Sequence, residues 1–304
     1  MRPALSVIFF TVSSGAGLGL LVWLVFLMTT GVAGGVPAEA ILPVLALGMA
    51  LTTAGLISST LHLANPKNAW RAFSRIGTSW LSREGVLAVA LYPVAALYAW
   101  LGPDAKIVGL VLAALALGVL YCTGMIYACL KTIPRWHSPL VPAAYVLLGL
   151  YSGALVGLPL IAHYFGPVSG KVTLVVGLLL AALLLKAIYY FQFGAPKVHH
   201  TVNSALPLGA KTIRLLDVGH THGNFLTYEF YFVLARGRAR ALRVVVFVAG
   251  FLLPLVLLAG GKTSTAVLTA AAVICLLGLL AERWLFFAEA EHVVRLYHGA
   301  ARVV

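Results

Sequence analysis

Charge is scarce in this sequence, and acidic residues are the scarcest charged group. Only 10% of its 304 residues are charged, with 8 Asp and Glu against 21 Lys and Arg. Ordinary soluble domains are about one quarter charged and about half apolar, whereas 62% of this chain is apolar. The composition therefore excludes a conventional soluble protein. The basic residues are also too sparse to predict a nucleic-acid interface, so no nucleic-acid partner is expected.

Cysteine is the second residue type in short supply. Cys122, Cys129 and Cys275 all lie inside apolar runs, without the CxxC or Cys/His spacings that zinc and iron–sulfur clusters require. The sequence therefore predicts no disulfide framework and no metal site. A b-type haem is not expected either, because its two axial ligands must face each other within the bundle. His62 and His163 fall at opposite membrane faces, and the other histidines lie at helix ends or in loops.

Long apolar runs make up most of the chain. A membrane-spanning helix needs about 20 consecutive, mostly apolar residues, because its peptide groups must be satisfied within the segment. Eight runs, bounded by Gly, Pro, charged or polar clusters, meet this requirement. They are 5–29, 40–61, 85–101, 107–130, 139–162, 171–193, 241–259 and 264–287. The sequence predicts an all-α integral membrane protein, in which residues 1–304 form a single domain of eight transmembrane helices.

The basic residues divide unequally between the two sides of this predicted bundle. Cytoplasmic loops of membrane proteins carry an excess of Lys and Arg. Only Lys106, Lys171 and Lys262 lie on one side, and Lys186 lies inside the sixth run; all other basic residues belong to the opposite side. This distribution predicts that both termini are cytoplasmic. It also explains the net charge of +13 as membrane orientation, with contact to anionic lipids as a further effect.

The connection between the second and third runs contains an unusual set of polar residues. His62 closes one apolar run and Glu84 precedes the next, so an imidazole and a carboxylate can meet at the cytoplasmic boundary. Such a pair is suited to proton transfer. The alternative is structural: both residues cap helix ends, while Trp70 and Trp80 anchor the chain at the interface.

Three stretches of the sequence resemble the membrane anchor subunits of the dimethyl sulfoxide reductase type, which include the anchors of membrane-bound sulfite dehydrogenases. They are SVIFFT (6–11) with SGAG (14–17), LHL (61–63) followed by Pro66 and AWRAF (69–73), and TSWLSREG (78–85). The resemblance implies a quinone-reactive subunit of eight helices, without iron–sulfur or molybdenum of its own. It further implies a four-cluster iron–sulfur subunit and a molybdopterin catalytic subunit as partners, on the cytoplasmic face of a bacterial-type inner membrane.

The resemblance also assigns site residues, since the family's histidine and glutamate that match His62 and Glu84 belong to the quinol site. A quinone exchanges two electrons and two protons, so its oxygens need groups that can change protonation. We expect His62 to bind a quinone oxygen and Glu84 to relay protons. Neighbouring arginines could stabilise an anionic intermediate or keep the carboxylate ionised, and polar side chains could supply orienting hydrogen bonds. These further candidates are Arg83, Arg71, Ser59 and Asn65.

Residues 194–240 form a connection far longer than most loops, which indicates a function of its own. The functional interpretation is a cytoplasmic docking surface for the iron–sulfur subunit. The alternative is a basic loop that lies on anionic headgroups. His220 and His222 lack Cys or carboxylate ligands at metal-binding spacing, so no metal is predicted there.

Two further charges fall inside apolar runs, Lys186 in the sixth and Glu282 in the eighth. They could form an intramembrane ion pair on a proton path. Alternatively, Lys186 extends to the interface and the adjacent Arg283 neutralises Glu282.

Together these features predict a quinone-reactive anchor subunit of a molybdopterin oxidoreductase complex, using ubiquinone or menaquinone. The chain would host the quinone half-reaction without a catalytic centre, so whether it is itself an enzyme stays open. The direction is also open, between sulfite oxidation to quinone and quinol-driven sulfoxide or N-oxide reduction, although residues 219–226 resemble the sulfite-oxidising anchors more. The alternatives are a purely structural anchor and a secondary transporter, but neither midplane charges nor two related halves with broken helices are evident.

Overall fold

The chain folds as a bundle of long helices. The computed structural model describes residues 3–60, 65–194, 201–206, 213, 216–217, 222, 239–261, 263–298 and 303. Within these residues, eight helices are long and apolar enough to cross a membrane. They are α1 Leu5–Thr30, α2 Ile41–Thr60, α3 Trp80–Leu101, α4 Lys106–Ala128, α5 Leu140–Tyr164, α6 Ser169–Gly194, α7 Ala239–Ala259 and α8 Thr265–Ala288. The predicted all-α architecture of eight membrane-spanning helices is confirmed.

The third helix begins earlier than its apolar run. The predicted start at residue 85 is wrong, because α3 begins at Trp80 and includes a polar first turn. Ser79 caps this end, since its side chain accepts a hydrogen bond from the Ser82 backbone N–H at 3.4 Å. A capped N-terminus needs no apolar residues in its first turn. Glu84 therefore lies inside the helix.

Helix α7 contains a π-helical turn at Val248–Leu252, between the α-helical parts Ala239–Phe247 and Leu253–Ala259. Pro254 follows this turn. It has no N–H to donate to the carbonyl oxygen four residues earlier, which belongs to Gly250. The Tyr151 hydroxyl of α5 donates to that oxygen instead, at 3.0 Å. A side chain from a neighbouring helix thus satisfies the backbone group that proline leaves free, as the membrane interior requires.

Helix α1 lies at the centre of the bundle and packs against α2, α4 and α5. The contacts with α2 and α5 depend on glycine. A methyl group added at Gly19 would overlap the Gly149 backbone of α5, and one at Gly17 would overlap the Gly48 backbone of α2. Small residues allow helix backbones to approach closely, which is a main source of helix association in membranes.

A short 3₁₀ segment, Pro66–Arg75, precedes α3 and packs against it. The Ser82 hydroxyl fixes this contact, because it donates to the Ala72 carbonyl oxygen and accepts from the Arg75 backbone N–H at 3.1 Å. The Phe73 ring lies over Gly85, where an added methyl group would come 3.3 Å from the ring. The segment thus covers the first two turns of α3.

Candidate functional site

Polar side chains concentrate at one end of the bundle. Consecutive spanning helices alternate in direction, so residues 65–79, 129–139 and 289–298 lie at the same end. We refer to it as the polar end. Glu84 lies there in the second turn of α3, and Lys186 and Glu282 lie about two turns before the ends of α6 and α8.

Glu84 is buried, with 4% of its surface exposed, and its partner is a hydroxyl group of the next helix. Thr123 of α4, which is 5% exposed, donates a hydrogen bond to Glu84 Oε1. The same hydroxyl oxygen lies 2.9 Å from the Val119 carbonyl oxygen, one turn earlier in α4. Among the described residues, no ion pair reaches Glu84. An ionisable side chain in such a place is a candidate for function.

The two candidate arginines point to other partners. Arg83 donates from Nε to the Ile76 carbonyl oxygen at 2.9 Å and from Nη2 to the Gly77 carbonyl oxygen at 2.7 Å. Its guanidinium carbon lies 4.3 Å from the centre of the Trp80 ring. Arg71 is exposed and lies 5.7 Å from the centre of the Trp70 ring. The structure therefore brings Glu84 together with Thr123, while Arg83 closes the turn that precedes α3.

Of the remaining candidates in this region, Ser59 and Asn65 are among the described residues. Ser59 donates to the Leu56 carbonyl oxygen at 2.8 Å, near the end of α2. Asn65 is exposed, and its carbonyl oxygen accepts from the Asn68 backbone N–H at 3.1 Å. His62 lies outside the described residues, so its pairing with Glu84 stays a prediction.

A second polar cluster lies between α5, α6 and α8. Lys186 Nζ lies 2.5 Å from Glu282 Oε1, and both side chains are fully buried. Arg283 Nε lies 3.3 Å from the other oxygen of Glu282, Oε2. The Arg283 guanidinium also stacks 3.8 Å above the Tyr145 ring of α5, and the Lys186 ammonium lies 4.3 Å from the centre of the Tyr189 ring. Two cations therefore share one carboxylate in a largely aromatic environment, where cation–π contacts stabilise them.

Aromatic side chains fill the rest of the polar end and were not identified in the sequence as site residues. Tyr127, Trp136, Tyr145, Phe286 and Phe287 form one set of ring contacts between α4, α5, α8 and the connection that follows α4. Aromatic residues near helix ends are typical of membrane interfaces, so their positions alone did not indicate a buried cluster. The spacing of Tyr189 and Tyr190, three and four residues after Lys186, is a signal that could have indicated the contact.

A third set of charges joins the loops to the helices. Glu289, just after α8, accepts hydrogen bonds from Arg243 of α7 at 2.7 Å and from Arg135 at 3.4 Å. These ion pairs hold α7, α8 and the connection between α4 and α5 together. These side chains are partly buried, with exposed fractions of 9% for Glu289, 15% for Arg135 and 22% for Arg243, so solvent screens these ion pairs less than fully exposed ones.

The long connection after α6 is described only at residues 201–206, 213, 216–217 and 222. Its predicted docking role and the stretch 219–226 therefore fall largely outside the described residues. Within the described part of the chain, no group of three or more His, Cys, Asp or Glu side chains could hold a metal ion.

Comparison with known proteins gives matches over the whole length of the sequence. A family model described as "DMSO reductase anchor subunit (DmsC)" matches residues 1–288. A sulfite dehydrogenase subunit of Allochromatium vinosum is 34% identical, over 98% of this chain and 99% of that protein. An anaerobic dimethyl sulfoxide reductase subunit of Escherichia coli is 28% identical, over 51% of this chain and 56% of that protein. The resemblance predicted from the motifs in residues 6–17, 61–73 and 78–85 is confirmed, and this multi-pass membrane protein belongs to the family of DMSO reductase anchor subunits.

Proposed function

We propose that this anchor subunit is quinone-reactive and exchanges electrons and protons between the membrane quinone pool and an iron–sulfur subunit. The observation that carries the proposal is Glu84, a buried carboxyl group with a hydroxyl partner and, among the described residues, no ion pair. Reduction of a quinone consumes two electrons and two protons, and oxidation of the quinol releases them. Because the partner exchanges only the electrons, groups of this chain must take up or release the protons, according to the direction of electron flow.

The position of Glu84 fits a substrate that arrives from the lipid. Helix α3 packs mainly against α4 and the 3₁₀ segment, and its other side carries exposed apolar residues such as Leu81 and Val89. An apolar quinone can therefore approach the α3–α4 pair from the hydrocarbon without entering the bundle core. His62, which precedes the 3₁₀ segment in the sequence, is the proposed second group at the quinone oxygens, and Arg83, Arg71, Ser59 and Asn65 are the further proposed site residues.

We place the partner subunits at the polar end, which in this proposal faces the cytoplasm of a bacterial-type inner membrane. Its described segments carry Lys67, Arg71, Arg75, Lys131 and Arg135, in agreement with the rule that cytoplasmic loops are basic. In this arrangement a four-cluster iron–sulfur subunit binds to the polar end and the 194–240 connection. It connects the quinone site to a molybdopterin catalytic subunit.

Electron flow from sulfite to quinone is the direction that the comparisons support better. The sulfite dehydrogenase subunit matches nearly the full length of the sequence, whereas the dimethyl sulfoxide reductase subunit matches about half of it. In that direction the complex oxidises sulfite, and Glu84 supplies protons to the quinone that becomes reduced. Quinol-driven sulfoxide reduction is the second candidate, and the same carboxyl group would then accept protons.

The first test is purification of the tagged protein from its native membrane, followed by mass spectrometry and assays of sulfite oxidation coupled to a soluble quinone. We expect iron–sulfur and molybdenum subunits to copurify. Glu84→Gln should lower quinone turnover about a hundredfold or more, the usual contribution of a proton-transferring group. Glu39→Gln, a matched change of an exposed acid at the opposite end, should have no effect.

Two outcomes would overturn the proposal. If the Glu84→Gln and His62→Ala complexes assemble and turn over quinone normally, the protein is a structural anchor at this site. If no redox partner copurifies, the protein does not anchor such a complex. A reporter fused after residue 206 tests the orientation, and an extracytoplasmic signal there would contradict it.

A further inference from the structure

We infer that Thr123 is a positioning residue that holds the Glu84 carboxyl group in one place in both of its protonation states, by reversing the hydrogen bond between them. This inference deepens the proposed function and rests on it, because it assumes that Glu84 gains and loses a proton during quinone turnover. Thr123 is not one of the residues that the sequence pattern or the resemblance identified.

The geometry around the Thr123 hydroxyl is the basis of the inference. A hydroxyl group has one hydrogen to donate and lone pairs to accept with. The Thr123 oxygen lies within hydrogen-bond distance of two acceptors, Glu84 Oε1 and the Val119 carbonyl oxygen. With a single hydrogen, the hydroxyl can donate fully to only one of them at a time.

Each protonation state of Glu84 has one arrangement that satisfies these atoms. When Glu84 is ionised, the hydroxyl donates to the carboxylate, which is a strong charge-assisted bond. When Glu84 carries a proton, the carboxyl O–H donates to the Thr123 oxygen, and the Thr123 hydrogen turns to the Val119 carbonyl oxygen. Only hydrogens move, so a buried group can change its charge without a new partner or a new rotamer.

Side-chain shape and burial restrict the conformations that Thr123 can adopt beside Glu84. Its β-branched side chain has few rotamers on a helix, and both residues are more than nine-tenths buried. In the described part of the protein, Thr123 provides the one hydrogen bond to the Glu84 side chain.

Other ionisable groups lie on the helix that carries Glu84 and on neighbouring elements, and among the described residues none of them forms an ion pair with Glu84. They come from its own helix, from the 3₁₀ segment, from α4 and from α5, and each can influence its titration. They are Arg83, Arg71, Arg75, Cys122, Tyr127 and Tyr145. Because these groups stay in place when Thr123 is substituted, a change of pH profile in the variant reports the lost hydroxyl group.

The test compares quinone turnover against pH for the purified complex and its variants. Thr123→Val keeps the branched shape and removes the hydroxyl, whereas Thr123→Ser keeps the hydroxyl. Thr52→Val is the matched control, since buried Thr52 makes the same bond to a carbonyl oxygen one turn earlier, at 2.8 Å, without a carboxylate beside it. Sulfite oxidation with an artificial acceptor, which bypasses quinone, serves as the measure of intact assembly.

The limb of the pH profile that depends on Glu84 is the one that is missing in Glu84→Gln. We expect Thr123→Val to shift this limb to higher pH by about one unit. The lost bond to the ionised carboxylate is stronger than the lost bond to the neutral group, by roughly the free energy that one pH unit represents. Thr123→Ser and Thr52→Val should keep the wild-type profile, and all variants should keep their activity with the artificial acceptor.

The outcomes separate the two proposals. If Glu84→Gln lowers quinone turnover as expected but Thr123→Val has the wild-type profile, the positioning role is wrong and the proposed function stands. If Glu84→Gln has no effect on quinone turnover, the proposed function itself is wrong. If Thr123→Val and Thr123→Ala both fail to assemble while Thr123→Ser assembles, the hydroxyl is structural and the positioning role is again wrong.

Discussion

The buried cluster of Lys186, Glu282 and Arg283 leads to a prediction about unequal effects of removing its charges. Among the described residues, Glu282 is the acid that pairs with both bases, with Lys186 Nζ at 2.5 Å and Arg283 Nε at 3.3 Å. Glu282→Gln removes the charge that both cations share and leaves two buried positive charges. Lys186→Met leaves one acid and one base, which still form a pair. We therefore expect the loss of the acid to be the more damaging change.

The magnitudes follow from what each change leaves buried. Removal of one partner from a buried ion pair costs about 3–5 kcal/mol, mostly because the other charge loses its partner. Lys186→Met loses one charge-assisted hydrogen bond, worth about 1.5–3 kcal/mol, but it also removes a buried ammonium group and its desolvation cost. Its methionine keeps apolar contact with Tyr189 and Tyr190. The net cost of Lys186→Met is therefore about 0–2 kcal/mol.

The assay is heat treatment of the solubilised complex, with a fluorescent reporter on the anchor protein and size-exclusion chromatography to measure the intact fraction. Stability changes of 1 kcal/mol move melting temperatures of medium-sized proteins by about 2–4 °C. We expect an apparent melting temperature about 10 °C lower for Glu282→Gln and at most about 5 °C lower for Lys186→Met. Asp104→Asn, a change of an exposed acid at the opposite end, is the control.

One result would refute the reasoning. If Lys186→Met destabilises the complex as much as Glu282→Gln does, the cluster does not depend on its single acid, and the charge balance derived from the distances is wrong. The double variant gives an independent check. With both partners neutral, only Arg283 stays charged, so its stability should lie between those of the two single variants.

Two further predictions concern packing and pH. Gly19→Ala should destabilise the bundle by about 1–3 kcal/mol, because its methyl group overlaps the Gly149 backbone. Gly15→Ala, one turn earlier with no atom within 4 Å of the new group, should be neutral or stabilising, and equal thermal shifts would contradict the packing. Burial lowers the pKa of His292, which follows α8 and accepts from the Val294 backbone N–H at 3.0 Å. The stabilisation from neutral His292 should therefore be complete above about pH 6.5 and decrease as the pH falls below that value. His292→Gln should lessen the fall in melting temperature between neutral pH and about pH 5.5, and an unchanged fall would contradict this assignment.

Most of the helical architecture is predictable from the sequence, because a span in lipid has to be long, apolar and internally hydrogen-bonded. Helix ends are less predictable, since capping depends on single polar residues. Helix α3 shows this, as Ser79 and Ser82 start the helix five residues before its apolar run begins. The π turn in α7 was equally unpredictable, because a proline indicates that the helix is irregular without indicating whether the irregularity is a kink or a π turn.

The candidate site was predictable only residue by residue. Glu84 is identifiable because a carboxyl group near an apolar run is rare in this acid-poor sequence. Its partner Thr123 is not, because threonine is common in such helices and 39 positions separate the two residues. The same limit applies to Lys186 and Glu282, which are 96 positions apart. Their charges suggest a pair. That Lys186 and Arg283 both contact Glu282 depends on how the helices are rotated against each other.

The π turn in α7 has a consequence for how substitutions along that helix should be interpreted. A π turn accommodates one extra residue, which shifts everything beyond it by about 100° relative to an unbroken α-helix. Val246 and Phe251 are five positions apart, yet both are completely buried. Helix α7 therefore has two phases, and a face traced through Ala239–Phe247 does not continue through Leu253–Ala259. A scan of this helix should be analysed as two separate surfaces that meet where Tyr151 bonds Gly250.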